Sequence, residues 1–233
     1  CYLNGLKTAV LAEKADLGIA FDGDGDRVMM VDHLGDAING DQILYLLAQD
    51  RLDRGVLGAG VVGTVMTNMA VENALLQKGI NLVRSKVGDR YVMEMLQEKQ
   101  WKLGGESSGH IISLSQTTTG DGIIAALQLV AYLIRINKSL LDVVSEVKLF
   151  PQKLINILFT GKEECVRSEK FWSEVNKLVK ELENNLGNKG RALVRASGTE
   201  PVIRVMVEAE SKLLVNSSIK TLIDSIESLL KNN

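Results

Sequence analysis

Short apolar runs alternate along this chain with stretches whose apolar residues recur every three or four positions, the signatures of buried strands and amphipathic helices. Leu17-Gly18-Ile19-Ala20-Phe21 reads as a buried strand, preceded by a helix-like segment from Leu6 to Ala15. Val28 to Val31 is a strand, and Asp41 to Arg54 a helix with an apolar face at Ile43, Leu44, Leu47 and Ala48. Val56 to Val62 is strand-like, Asn68 to Lys78 helical, Ile80 to Arg84 a strand, Tyr91 to Gln100 helical and Lys102 to Glu106 a strand again. Asp121 to Ile136 supplies a long apolar helix to cover the resulting sheet. This βαβα order predicts an α/β, layered mixed-sheet domain over residues 37–148. Near Phe150-Pro151 the character changes to strand (Leu154 to Phe159), helix (Ser168 to Asn185), two strands (Arg191 to Ala196, Val202 to Glu208) and helix (Leu213 to Leu230). Residues 149–233 are therefore expected to form a smaller α+β domain. One helix and one strand cannot bury a core, so residues 1–36 read as the end of an incomplete α/β domain whose body lies upstream.

The remaining composition narrows the function classes. With 45% hydrophobic and 24% charged residues the 233-residue chain is ordinary globular material. Its 27 Lys and Arg against 29 Asp and Glu leave a formal charge of −2, with no basic footprint for nucleic acid or an anionic membrane. The longest apolar stretch, Ile123 to Ile134, is interrupted by Gln128 and too short to span a bilayer, and no signal peptide opens the chain, so the expectation is cytoplasmic. Cys1 and Cys165 show neither disulfide nor zinc-site spacing.

Asp22-Gly23-Asp24-Gly25-Asp26-Arg27 carries the strongest chemistry. Side chains two apart in extended backbone share a side, so Asp22, Asp24 and Asp26 can converge where a strand ends, while Gly23 and Gly25 allow the bends. Three anions so close repel unless a cation neutralises them, and all-oxygen ligation by three protein groups favours Mg²⁺. A calcium loop of the EF-hand kind needs glycine at position six and glutamate at twelve, but counting from Asp22 those positions hold Arg27 and His33. A run of ordinary Asp-Gly turns explains one such pair, not three in register with an arginine.

Two further loops join it. Gly104-Gly105-Glu106-Ser107-Ser108-Gly109-His110 gathers a carboxylate, hydroxyls and an imidazole between strand-like segments, a mixture suited to a hydroxylated ligand, although a polar hairpin would also use it. In Arg195-Ala196-Ser197-Gly198-Thr199-Glu200-Pro201-Val202-Ile203-Arg204, guanidinium groups flank a turn rich in amides and hydroxyls, which is phosphate-binding chemistry. Lys86-Val87-Gly88-Asp89-Arg90 puts two cations after a strand, with Asp89 equally explained as a helix start. Thr117 to Gly122 reads first as a helix N-terminal loop.

These motifs, in this order and spacing, resemble the α-D-phosphohexomutases, and the resemblance spans essentially all 233 residues. It implies four domains around a cleft, of which this chain holds the end of domain two (1–36, with the metal loop), the sugar-binding domain three (37–148) and the phosphate-binding domain four (149–233). It further implies an active-site phosphoserine beside Mg²⁺ and a bisphosphate intermediate. By the same resemblance, Asp22, Asp24 and Asp26 ligate the metal and Arg27 stabilises the transferring phosphoryl group. Glu106 and Ser108 hold sugar hydroxyls. Arg195, Ser197, Gly198, Thr199 and Arg204 grip the phosphate that is not reacting. Lys86 and His110 are left for proton transfer or charge neutralisation.

The family's nucleophile segment, of Thr-Ala-Ser-His-Asn-Pro type, is missing, and no serine here precedes a histidine. The chain alone is expected to be inactive, with the absent N-terminal domains and a second copy in a homodimer as its protein partners. The overall resemblance, especially Arg195 to Glu208, favours glucosamine phosphate as substrate, supplying UDP-N-acetylglucosamine and cell-wall synthesis. Mannose and glucose phosphates are the alternative, since their mutases share the Glu-x-Ser-Gly-His loop. A non-catalytic Mg²⁺ and phosphosugar-binding module also stays open. A phosphatase with an aspartate nucleophile fits less well, because clustered carboxylates suit shared metal ligation.

Overall fold

A computed structural model describes residues 3–198 and 200–232 of the chain, which separate between Lys148 and Leu149 into two units. In the first, α1 (Asn4–Glu13) leads into β1 (Leu17–Phe21), which pairs antiparallel with β2 (Val28–Asp32), and β2 in turn with β3 (Ala37–Ile38). Val10 of α1 buries against Val31 of β2 and Leu3, giving this three-stranded sheet its own apolar support.

The main sheet of this unit is mixed. After α2 (Gly40–Asp53) come β4 (Gly60–Thr64), α3 (Met69–Gln77), β5 (Asn81–Ser85), α4 (Asp89–Lys99), β6 (Leu103–Gly105) and β7 (Ile111–Ser113). Their spatial order is β5-β4-β6-β7, with β4 parallel to β5 and β6, and β7 antiparallel to β6. α5 (Gly122–Ile136) and α6 (Leu140–Val144) complete it. Val62 of β4, Ile112 of β7 and Val92 and Leu96 of α4 form one buried cluster. Helix α2 starts at a reciprocal cap in which the Asn39 side chain accepts from the Gln42 N–H and the Gln42 side chain from the Asn39 N–H. It packs on β4, β6, α3 and α5 together. Tyr45 and Leu46 are therefore buried along with Ile43, Leu44, Leu47 and Ala48, where the sequence suggested a single apolar face.

Three connections fix the functional end of this unit. Thr64, Ser85 and Gly105 end the three mutually parallel strands on one side of the sheet, the side where open α/β sheets bind ligands. The Gly40 N–H donates to the Ser107 carbonyl at 3.1 Å, so α2 begins against the loop after β6. The Gly122 N–H donates to the Gly25 carbonyl at 2.9 Å, so α5 begins against the loop after β1.

The second unit contains β8 (Gln152–Leu158), α7 (Glu163–Arg167), α8 (Glu169–Leu186), a 3-10 turn at Gly187–Lys189, β9 (Gly190–Ala196), β10 (Val202–Ala209) and α9 (Lys212–Asn232). The sheet order is β8-β10-β9, antiparallel throughout. Ile203, Val205 and Val207 alternate along β10 and bury against Phe171 and Val175 of α8 and Ile219, Leu222, Ile226 and Leu230 of α9, period two meeting period 3.6. The segments expected as three strands and two long helices are these elements.

Where the structure departs from the periodicity, local chemistry explains it. The strand expected from Val56 starts only at Gly60, because Gly55 and Gly58 adopt positive φ (68° and 81°) and the Val56 N–H closes the end of α2 onto the Arg51 carbonyl. α6 and α7, five residues each, are too short for a detectable period. The aspartate loop is not extended: it turns, with the Gly25 N–H donating to the Asp22 carbonyl at 3.3 Å and Gly25 at φ 76°.

Candidate functional site

Despite that turn, one carboxylate oxygen from each of Asp22, Asp24 and Asp26 lies within 4.8 Å of the others. The Arg27 N–H donates to Asp22 Oδ1 at 3.1 Å and folds the loop back on itself. The Arg27 guanidinium, half exposed, keeps Nε 3.7 Å from both Asp22 Oδ2 and Asp26 Oδ1. The free carboxylates divide their charge unevenly. Desolvation, and next the hydrogen bond shared with Asp22, hold the Asp26 carboxyl above the usual value against the pull of His110. At Asp22 desolvation also pushes upward, but the Arg27 N–H and the hydrogen bond from Asp26 outweigh it, and the net direction is down.

Residues present here fit a hard divalent ion. Asp26 Oδ1 is buried with no hydrogen-bond partner, while Asp26 Oδ2 is held 3.1 Å from His110 Nδ1. One oxygen is oriented by the imidazole and the other, beside the Arg27 guanidinium, makes no hydrogen bond, as for a metal-ligating carboxylate supported from behind. His110 reaches Asp26 because Arg27 and His110 form an antiparallel bridge and the Val28 N–H donates to the Gly109 carbonyl at 3.0 Å. Gly109, at φ 92°, lies so close to Val28 that a Cβ would strike its carbonyl. Only glycine allows the two loops to meet there.

A pocket of about 390 Å³ opens at this junction, lined by Asp26, Arg27, Glu106, Ser108 and His110 together with residues from the other strand ends. Glu106 is fixed by the Gly88 N–H, which donates to its Oε1 at 2.8 Å; Ser108 is exposed at the pocket. Lys86 and Arg90 do not line it. Lys86 is exposed with Nζ 5.5 Å from the Tyr91 ring centroid, and Arg90 pairs with Glu94 at 2.8 Å along the surface of α4. The lining also includes Thr64, Met66 and Asp89. Sequence reasoning missed Thr64 and Met66, which only the parallel arrangement of β4 and β6 brings to Glu106. It gave Asp89 no more than a helix start, and the structure puts it first in α4, after Gly88.

On the second unit, Arg195 and Arg204 are directly paired across β9 and β10. Like charges at such a pair repel, and an anion shared between them removes the repulsion. Arg204 Nη2 reaches Glu200 Oε2 at 3.0 Å, but Arg204 Nε is buried without a partner. The connecting turn is closed by the Ser197 N–H donating to the Val202 carbonyl at 2.8 Å, with Gly198 exposed at its tip. Thr199 lies outside the described residues. No helix among the described residues is long and apolar enough to cross a membrane.

Comparison with known proteins follows the same division. Residues 39–150 match "Phosphoglucomutase/phosphomannomutase, alpha/beta/alpha domain III" and residues 154–222 match "Phosphoglucomutase/phosphomannomutase, C-terminal domain". The chain is 53% identical over 226 residues to the phosphoglucosamine mutase of Enterobacter sp. (strain 638), covering 97% of this chain and 50% of that protein. It is 53% identical over 222 residues to that of Proteus mirabilis (strain HI4320), covering 95% and 49%. The chain thus spans about half the length of the curated relatives it matches. In fold it is similar to a phosphoglucomutase/phosphomannomutase family protein from Burkholderia thailandensis (TM-score 0.76, 23% identity, 98% of this chain and 50% of that one). It is also similar to Aspergillus fumigatus N-acetylphosphoglucosamine mutase in complex with GlcNAc-6P and magnesium (TM-score 0.69, 19% identity, 91% and 48%).

Proposed function

The chain belongs to the phosphoglucomutase/phosphomannomutase family, and on that premise we propose that it is the metal-, sugar- and phosphate-binding portion of a phosphoglucosamine mutase, interconverting glucosamine 6-phosphate and glucosamine 1-phosphate. The observation that carries this reading is the pocket at the strand ends, where the aspartate loop and the Glu106–His110 loop meet through the Arg27–His110 bridge. The identity to enzymes of that name supports the amino-sugar substrate. Residues 1–36 would then be the end of the second domain, 37–148 the third and 149–233 the fourth, and the product would feed UDP-N-acetylglucosamine and cell-wall synthesis.

In the proposed reaction a sugar hydroxyl attacks a phosphoserine. A P–O bond forms to the sugar oxygen as the bond to serine breaks, and the hydroxyl proton passes to a base. The bisphosphate then returns its other phosphate to serine. Bound through Asp22, Asp24 and Asp26, Mg²⁺ would supply charge stabilisation to the transferring phosphoryl group. Arg27, beside two of those carboxylates, contributes charge to the same group. Glu106, fixed by the Gly88 N–H, and Ser108 hold sugar hydroxyls. Arg195, Ser197, Gly198, Thr199 and Arg204 grip the phosphate that is not reacting. His110 suits charge neutralisation more than proton transfer, since Nδ1 faces Asp26 while Nε2 is buried without a partner against Gly120. Lys86, exposed beside pocket-lining Val87, is then the candidate for the proton.

The nucleophile segment is not within residues 1–233, so the phosphoserine is assigned to sequence outside them. The purified 233-residue species is expected to bind phosphosugar without turning it over. The test is turnover of glucosamine, glucose and mannose 6-phosphates with Mg²⁺ by the protein expressed from its complete reading frame. Preference for glucosamine 6-phosphate is the expected result; preference for mannose 6-phosphate, or turnover by the 233-residue species alone, would overturn it.

A further inference from the structure

The charge of the pocket is out of balance. Apart from Asp26 of the aspartate loop, its lining among the described residues holds two carboxylates, Glu106 and Asp89, against one arginine, Arg27. Arg27 stands between Asp22 and Asp26, and His110 also faces Asp26. Glu106 has one oxygen occupied by the Gly88 N–H. The Asp89 carboxylate is exposed, makes no hydrogen bond or ion pair with the described residues, and does not cap its own helix, whose cap position is Gly88. A neutral sugar needs hydrogen-bond acceptors here, and Glu106 already provides them. A second, unpaired carboxylate next to Glu106 suits a ligand that brings a positive charge.

We propose that Asp89 is a specificity-determining residue that receives the cationic amine of an amino sugar, with Glu106 holding the neighbouring hydroxyls. This rests on the reading of the pocket as a phosphosugar site. On that reading the aspartate loop with its ion and Arg27 meet the phosphate charge, so Glu106 and Asp89 are free to distinguish an ammonium from the hydroxyl at the same ring position. A charge-assisted contact of this kind separates the two ligands more sharply than shape can, because the amine and the hydroxyl are nearly the same size. Two turns of backbone place the residue. Ser85 ends β5 beside β4, and Gly88, at φ 125°, swings the chain so that Asp89 starts α4 at the mouth of the pocket while its N–H neighbour orients Glu106.

The experiment measures kcat and KM for glucosamine 6-phosphate and glucose 6-phosphate with wild type, Asp89→Asn and Asp89→Glu, each expressed from the complete reading frame. In Asp89→Asn the kcat/KM for the amino sugar is expected to fall roughly 10- to 100-fold relative to that for glucose 6-phosphate, with the loss in KM, and Asp89→Glu is expected to restore part of the ratio. A fall that is equal for both sugars would mean that Asp89 only supports the start of α4, and would overturn the proposal, as would an unchanged ratio. If the wild type binds and turns over neither sugar phosphate, the phosphosugar reading itself fails and takes the proposal with it.

Discussion

His110 Nδ1 stands 3.1 Å from Asp26 Oδ2, and the far side of the same imidazole rests on Gly120, where an added Cβ would overlap Nε2. Gly120 lies next to Asp121, the N-cap of α5, whose side chain accepts from the Ile124 N–H at 2.9 Å, so the backbone behind the ring is anchored. The ring has no space to retreat. Gly120→Ala is therefore expected to push His110 off Asp26 and weaken Mg²⁺ binding by about 10- to 100-fold, the usual cost of losing a group that orients a ligand. Titration calorimetry on the wild type and the variant checks it, and equal affinities would show that His110 does not orient Asp26.

Mg²⁺ binding should weaken as pH falls. The Asp26 carboxyl is held above the usual aspartate value of 3.8, by desolvation first and then by the shared hydrogen bond with Asp22, so it keeps its proton to higher pH than a free aspartate. Its contribution to the stability of the metal-free protein is present below 3.8 and is lost as pH rises through the raised value. Asp22 behaves oppositely: its contribution is present above 3.8 and is lost as pH falls through its lowered value. Mg²⁺ takes the ionised carboxylates, so the increase in melting temperature that it causes is expected to be larger at neutral pH than in mild acid. A shift independent of pH would argue against ligation by Asp26.

Arg195 and Arg204 face each other across β9 and β10. Removing one should relieve their repulsion while taking a guanidinium from the proposed phosphate site. The pair that Arg204 makes with exposed Glu200 is worth no more than about 1 kcal/mol. Arg204→Met is expected to leave the melting temperature within a few degrees of wild type and to weaken glucosamine 6-phosphate binding roughly 10- to 100-fold. A large loss of stability with unchanged binding would identify Arg204 as structural instead.

The convergence of Asp22, Asp24 and Asp26 is legible in the sequence because three aspartates at alternate positions beside Arg27 have no common structural use. The boundary between the two units is legible near Phe150-Pro151, where the order of elements changes. Thr64, Met66 and Asp89 are not legible as pocket residues, since their convergence depends on β4 lying parallel to both β5 and β6, a pairing that no local pattern encodes. The burial of Tyr45 and Leu46 is hidden for the same reason: α2 is covered on several sides by elements distant in sequence. The position of His110 behind Asp26 is likewise set by the contact of Gly109 with Val28, far along the chain.

Hydrogen–deuterium exchange of the chain with and without Mg²⁺ and glucosamine 1,6-bisphosphate tests the central claim, that the loops at residues 22–27 and 106–110 form one phosphosugar site. Ligand-dependent protection is predicted at residues 22–27, 86–89 and 106–110. Protection confined to other segments, or absent from both 22–27 and 106–110, would contradict it.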